Sequence, residues 1–186
     1  MKRKFLNVYS AFLRGINVGG NALVKMGDLK ARFEEMGFLH VRTYINSGNV
    51  IFESSADSSR ELEAVIEKML AQTYPFQPKV VVRSYEEMER LNKAIPADWG
   101  TDPKRRFNVM FLKDSIDSKA ILKGLGPKKG IEEVAYHPGA LLWSAQTSDL
   151  TKTAMVKLSS RDIYQEMTVR NVNTTRKVFE LMKKGD

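Results

Sequence analysis

VRTYINSGNVIFE, residues 41–53, reads as two strands about a turn. Val41 to Asn46 and Val50 to Glu53 are rich in β-branched and aromatic residues, and Asn46-Ser47-Gly48-Asn49 supplies the types that tolerate left-handed turn positions. Alternation puts Val41, Thr43 and Ile45 on one face of the first strand and Arg42, Tyr44 and Asn46 on the other. Helical spacing flanks this hairpin on both sides. Upstream, Met26, Leu29, Phe33 and Met36 recur at intervals of three and four until Gly37. Downstream, Ser58-x-x-Glu61 has the form of a capping box, and Leu62, Val65, Ile66, Met69 and Leu70 follow on one helical stripe. The apolar run Phe5 to Leu13 precedes the first helix. Lys79 to Arg83 follows the second, beyond the break at Tyr74-Pro75-Phe76-Gln77-Pro78, and completes the order βαββαβ.

Ser84-x-x-Glu87 then caps a helix carrying Met88, Leu91 and Ile95, and Pro96 to Pro103 is a connection around Trp99. After it the order begins again. Arg106 to Leu112 alternates as a strand, Ser118 to Leu125 is a short helix, and Glu132 to Tyr136 and Leu141 to Ser144 flank the turn His137-Pro138-Gly139-Ala140. Lys152 to Gln165 is read as a helix and Met167 to Arg170 as a short strand. Asn173 is read as the cap of a last helix with Val178, Leu181 and Met182 inward. The expected fold class is α+β, with two ferredoxin-like βαββαβ subdomains in tandem, residues 1–83 and 105–186, and a connecting helix and linker over 84–104. The halves share pattern, not residue identity.

With 186 residues and 42% of them hydrophobic, the chain has enough apolar material for an ordinary core. The absence of cysteine excludes disulfides, thiolate nucleophiles and cysteine-based zinc sites. Two histidines and no Asp-x-Asp-type spacing leave no expectation of a metal, and no cofactor is expected either. Lys2-Arg3-Lys4 precedes an apolar run that Asn7, Tyr9 and Ser10 interrupt, so it reads as a first strand rather than a secretory leader. No stretch approaches the about 18 consecutive apolar residues of a spanning helix. The expectation is a cytoplasmic protein with no membrane partner. The net charge of +8 attracts polyanions, but the basic runs at Lys2 to Lys4, Lys104 to Arg106, Lys128-Lys129 and Lys183-Lys184 fall at termini and connections. Nucleic acid is thus a possible partner but not the favoured one.

No catalytic residue is assigned, and enzymatic activity is left open. Neither His40 nor His137 has a Ser or Asp at a recognisable triad spacing, and Glu34-Glu35, Glu61-Glu63 and Glu86-Glu87 all fall on expected helix surfaces. The loop Arg14-Gly15-Ile16-Asn17-Val18-Gly19-Gly20-Asn21 is more informative, because its glycines let backbone N–H groups turn toward a ligand. It matches neither the Rossmann nor the P-loop fingerprint. Arg14 offers a planar fork for carboxylate or phosphate, and Lys25 stands just before a helix whose first N–H groups are unpaired. The same glycines also serve a tight crossover, and the same asparagines can satisfy their own backbone. In βαββαβ topology the first two strands run parallel. The Arg14 loop, the hairpin turn and the Tyr74 to Pro78 connection should therefore meet at one sheet edge. Tyr44, Asn46, Ser47 and Asn49 surround that turn, where turn chemistry alone is the competing account. The hairpin lacks the early aromatics of an RNA-recognition strand. At Thr168-Val169-Arg170-Asn171-Val172-Asn173-Thr174 a strand passes into a capped helix, and Arg170 is the residue that capping leaves over. Were Arg14 and Arg170 to converge, two guanidinium forks would grip one anion.

LRGINVGG at 13–20, YINSGNVIF at 44–52 and MTVRNVNT at 167–174 resemble the signatures of a bacterial domain-of-unknown-function family, over nearly the whole chain. The resemblance implies recurring residues at Arg14, Gly15, Asn17, Gly19 and Gly20, at Tyr44, Ser47, Gly48 and Asn49, and at Thr168, Arg170, Asn171 and Thr174. Lys157 and Ser159 stand where the family often has Lys and Ser, and Val172 where many relatives carry Trp. It implies two ferredoxin-like subdomains and no reaction. The expected partner is an anionic small molecule, phosphorylated or nucleotide-like, in a cleft lined by Arg14, Gly15, Asn17, Gly19, Gly20, Tyr44, Ser47, Asn49, Thr168, Arg170 and Asn171. The alternatives are sequence-tolerant nucleic-acid binding through basic surface, and a protein-interaction module whose signature loops are architectural.

Overall fold

The computed structural model describes residues 6–20 and 22–183. Its first half runs Asn7–Arg14 (β1), Met26–Glu35 (α1), Leu39–Tyr44 (β2), Asn49–Ser54 (β3), Ser59–Thr73 (α2) and Lys79–Ser84 (β4). The second runs Tyr85–Ala94 (α3), Arg105–Leu112 (β5), Ile121–Leu125 (α4), Glu132–His137 (β6), Ala140–Gln146 (β7), Met167–Asn171 (β8) and Val172–Lys183 (α5). The strands form two four-stranded antiparallel sheets, β2-β3-β1-β4 and β6-β7-β5-β8, so the protein is mixed α+β. Contacts divide the chain into unit 1, up to Met88 with the residues from Val178, and unit 2, Glu89–Lys177. No helix among the described residues is long and apolar enough to cross a membrane.

In unit 1 the helix stripes pack as their spacing dictates. Leu29 and Phe33 of α1 and Leu62, Ile66 and Leu70 of α2 join Ala11, Leu13, Val50, Phe52, Val80 and Val82 of the sheet. Ser58 Oγ accepts from Glu61 N at 3.3 Å, and Gly37, with φ of 84°, ends α1. At α3 the capping box is complete: Glu87 N donates to Ser84 Oγ at 3.3 Å and Ser84 N to Glu87 Oε2 at 2.7 Å.

Three expectations need correction here. Val65 is 47% exposed, whereas Glu63, read as a surface residue, is buried. It earns that place at the outer border of the sheet: Glu63 Oε1 accepts from Val82 N at 2.9 Å, and Glu67 Oε1 from Val80 N at 2.8 Å. Arg83 lies 3.8 Å from Glu63 and donates to Val82 O at 2.7 Å. The hairpin also differs. Pairing is regular from Arg42 to Tyr44, past an irregularity between Leu39 and Arg42, but the strand ends at Tyr44, and Ile45, exposed and at φ of 49°, belongs to the turn rather than to the face of Val41. Asn49 accordingly lies in β3.

In unit 2 the stretch read as a helix over 152–165 is instead three 3₁₀ segments, Thr147–Lys152, Ala154–Ser160 and Asp162–Glu166. Hydroxyl side chains close the first two of them. Thr153 Oγ1 donates to Leu150 O and Ser160 Oγ to Lys157 O, both at 2.9 Å, local bonds that compete with an α-helical ladder. The cap of α5 is likewise displaced: Asn171 Oδ1, not Asn173, accepts from the Asn173 N–H at 2.8 Å. In both units the sheet face turned away from the helical core is buried too, as Ser10, Phe12, Ile51 and Val81 show in unit 1 and Phe107, Val109, Phe111 and Leu142 in unit 2.

Glu63→Leu strands the Val82 N–H and removes the carboxylate beside the buried Arg83 guanidinium, and is expected to cost about 3 kcal/mol of stability. Val65→Lys, on the same helix, should stay within about 0.5 kcal/mol of the parent. Urea unfolding of the two variants checks the contrast.

Candidate functional site

β1 delivers the chain at Arg14 into a loop that turns repeatedly through positive φ, at Gly15 (70°), Asn17 (53°), Gly19 (59°), Gly20 (78°) and Ala22 (49°). Asn17 holds it. Its backbone N–H donates to Ala22 O at 3.1 Å, its Oδ1 accepts from Val24 N at 2.8 Å, and its Nδ2 donates to Val24 O at 2.9 Å and Asn46 O at 2.8 Å. With both amide hydrogens committed, Asn17 is a pin between loop and turn rather than a ready ligand contact. The turn comes closer still: Leu13 N donates to Gly48 O at 2.8 Å, and a Cβ on Gly48 would lie 2.6 Å from Ile16 Cδ1. The loop and the hairpin turn are therefore neighbours in unit 1, as the topology requires.

Around them opens a groove of about 790 Å³, lined by Asn17, Leu23, Val24, Lys25, Met26, Asp28, Asn46 and Tyr74. α1 begins in it. Lys25, the N-cap, is extended and makes no side-chain cap, and no hydrogen bond within the described residues takes up the N–H groups of Met26, Gly27 and Asp28. Tyr74, which stacks on Phe76 at 5.6 Å, brings a buried hydroxyl with no hydrogen-bond partner among the described residues. Burial raises the pKa of that phenol above 10.0, the nearby Asp28 carboxylate raises it further, and Arg32 opposes both. Lys25 and Asp28 thus place both signs of charge at the mouth of one helix.

The remaining candidates are not among the described residues lining the groove. Arg14 is half-buried at the end of β1, opposite Lys79, and is not among the described residues lining the groove. Gly15, Gly19 and Gly20 are exposed. Asn49, fully buried, donates through Nδ2 to Tyr44 O at 3.0 Å and Ser47 Oγ at 3.1 Å, which is turn chemistry. Thr168, Arg170 and Asn171 lie on β8 of unit 2. Arg170 donates to Val169 O at 2.9 Å, and burial lowers its pKa to about 10. Thr168 is buried, with no hydrogen-bond partner for Oγ1 among the described residues.

Several functional-looking groups that the sequence does not single out are committed to the scaffold. The buried Glu132 carboxylate accepts from Trp143 Nε1 at 2.7 Å, Ala154 N at 2.6 Å and Lys128 N at 3.1 Å. Asp117 accepts from Tyr136 OH at 3.0 Å and Gly139 N at 2.9 Å, tying down the second hairpin turn. Arg176 donates to Pro96 O at 2.7 Å and to Trp99 O. Tyr74 is the site residue that sequence reasoning passes over, because beside Pro75 it reads as a helix break. Its signal is position, on the connection that shares a sheet edge with the loop. Among the described residues no cluster of His, Asp and Glu is arranged to hold a metal ion.

Residues 6–143 match the model of a family described as protein of unknown function, DUF1697. The chain belongs to that family. A conserved bacterial protein from Streptococcus pneumoniae is similar in structure, with a TM-score of 0.83 and 29% identity over 96% of this chain and 100% of that one. An unknown protein from Galdieria sulphuraria aligns at 11% identity over 90% and 98% of the two chains, with a TM-score of 0.28 that says nothing of the fold. No curated protein matches. Of the three signature runs in this DUF1697 member, the first two lie within the matched residues and 167–174 lies beyond them.

Gly48→Ala meets both a left-handed backbone and the Ile16 side chain, and should cost about 2 kcal/mol or more. Gly19→Ala, with open space around it, pays for the backbone alone, about 1 kcal/mol. Denaturant unfolding of both variants tests whether the close approach at Gly48 sets the geometry.

Proposed function

We propose that this DUF1697 protein is a cytoplasmic binder of a small anionic molecule, phosphorylated or nucleotide-like, and that each unit is a ferredoxin-like subdomain. The shared strand order of the two sheets supports the second statement. The first is carried by one observation: α1 opens into the groove with three N–H groups and a flanking Tyr74 hydroxyl that find no partner among the described residues, beside Lys25. Amide donors at the positive end of a helix favour negative charge, and Lys25 adds a mobile countercharge. The Tyr74 ring and the exposed Leu23 side chain give the same groove an apolar flank, which suits a phosphate joined to a ring. Arg14 and the exposed Gly15, Gly19 and Gly20 amides are the loop's further candidates, whereas Asn17 acts by fixing the loop. Asp28 works against an anion at close range and sets a ceiling on affinity. Base stacking on a sheet face, as in RNA-recognition modules, is disfavoured because Phe12 and Ile51 of the central strands are fully buried.

A thermal-shift panel of inorganic phosphate, sugar phosphates and nucleotides tests the reading. At least one anion should stabilise the wild type. Lys25→Ala should weaken it about tenfold and Asp28→Asn strengthen it by a similar factor, the scale of one charge-assisted contact. A panel in which no anion acts selectively overturns the proposal.

Tyr74→Phe separates function from stability. It removes an unpaired buried hydroxyl, so the free protein should gain about 1 kcal/mol while anion binding weakens. Because the folded phenol's pKa is raised, the wild type should lose stability as pH rises beyond 10.0, and Tyr74→Phe should lose less. Ultraviolet titration of the phenols, alongside unfolding curves at several alkaline pH values, measures both.

A further inference from the structure

We infer that unit 2 carries a second binding site, for an uncharged six-membered heteroaromatic ring with an adjacent hydrogen-bond donor and acceptor. The site is a pocket of about 130 Å³ between the sheet and the 3₁₀ segments that cover it. Its floor is one face of three adjacent strands: Asn108 of β5 stands opposite Trp143 of β7, and Met110 of β5 opposite Val169 of β8. Its roof is Met155 and Leu158 of the Ala154–Ser160 segment with Tyr164 of the next. In unit 1 an unbroken helix, α2, sends Leu62, Ile66 and Leu70 into the equivalent layer and fills it. Short 3₁₀ segments, each changing direction, cannot present such a continuous stripe, and the volume stays open.

The lining selects the occupant. No charged side chain is among it, so an ionised ligand would enter without a partner. An apolar cavity of about 150 Å³ takes up benzene, so the space here suits one ring and not two. The Trp143 N–H is already given to Glu132 Oε2, at 2.7 Å, so the indole offers the ligand its ring and not its donor. Two methionine thioethers add soft, adaptable contact. Apart from the Tyr164 phenol, the polar group at the pocket is the Asn108 amide, which no hydrogen bond within the described residues engages. A carboxamide sets a donor beside an acceptor. Its complement is a lactam or carboxamide edge, the geometry by which Asn reads the edge of a base. A free heterocycle and the base of a nucleoside share this chemistry.

Titration calorimetry of the full chain with 2-pyridone, benzene and uridine tests the assignment. The wild type should bind 2-pyridone. Asn108→Leu, which keeps the bulk and removes the amide, should weaken 2-pyridone about tenfold or more while leaving benzene as tight or tighter. Met155→Trp, which fills the pocket from its roof, should abolish both, and thermal unfolding confirms that each variant is folded. If Asn108→Leu fails to fold, the wild type against Met155→Trp decides whether the ring enters this pocket. Uridine binding as well as 2-pyridone assigns the ring to a nucleoside, and uridine failing assigns it to a free heterocycle. Lys25→Ala should change none of these affinities, which keeps the result separate from that of the groove in unit 1. The inference is overturned if 2-pyridone does not bind the wild type, if a folded Asn108→Leu binds it equally well, or if Met155→Trp leaves it undisturbed.

Discussion

The approach of the first loop to the hairpin turn is the constraint on which the candidate groove depends. Leu13 can donate to Gly48 O, and Ile16 can settle over Gly48, only because residue 48 has no side chain and accepts a φ of 74°. Asn17 then locks the arrangement with a side chain that imitates backbone, exchanging bonds with Val24 in both directions and reaching Asn46. With those groups in place, the chain must leave the loop where Leu23 to Asp28 form the wall opposite Tyr74. A substitution at Gly48 or Asn17 is therefore felt at Lys25 and the start of α1.

The same division between frame and function decides what the sequence discloses. Ser58 with Glu61 and Ser84 with Glu87 are local signals, complete within four residues; the second forms the whole box and the first its hydroxyl half. The meeting of loop and turn follows from strand order alone, so topology reveals it before any side chain is placed. Glu63 is different: helical spacing assigns a carboxylate to the outside, and only the adjacent strand, with N–H groups to satisfy, draws it in. Ile45 leaves the face of Val41 because the strand ends one residue earlier and Ile45 turns through a positive φ. The 3₁₀ segments defeat periodicity because their backbone bonds reach only three residues back. Tyr74 is illegible as a candidate because its hydroxyl is singled out only by lacking a partner among the described residues.

Two sheets of one strand order are finished in different ways. Unit 1 closes its core with two regular helices and keeps its open space at the sheet edge, among loops. Unit 2 replaces a helix by three short turns, and its open space lies against the sheet. Buried carboxylates serve each half as struts, Glu63 in one and Glu132 in the other, and each satisfies backbone donors that no strand or helix would reach. An acidic residue inside this protein is thus a sign of scaffolding.

The carboxylates of α2 also determine what cannot happen at the margin of unit 1. β4 is an outermost strand, and an outermost strand with free donors is a template on which a neighbouring chain can lay down a strand of its own. Glu67 and Glu63 occupy the donors of Val80 and Val82 from within the same molecule. An incoming strand would have to displace two anionic acceptors before making its first bond. Growth of the sheet by recruitment is closed along that border, and crowded or newly made chains meet there as finished surfaces rather than as unfinished sheets.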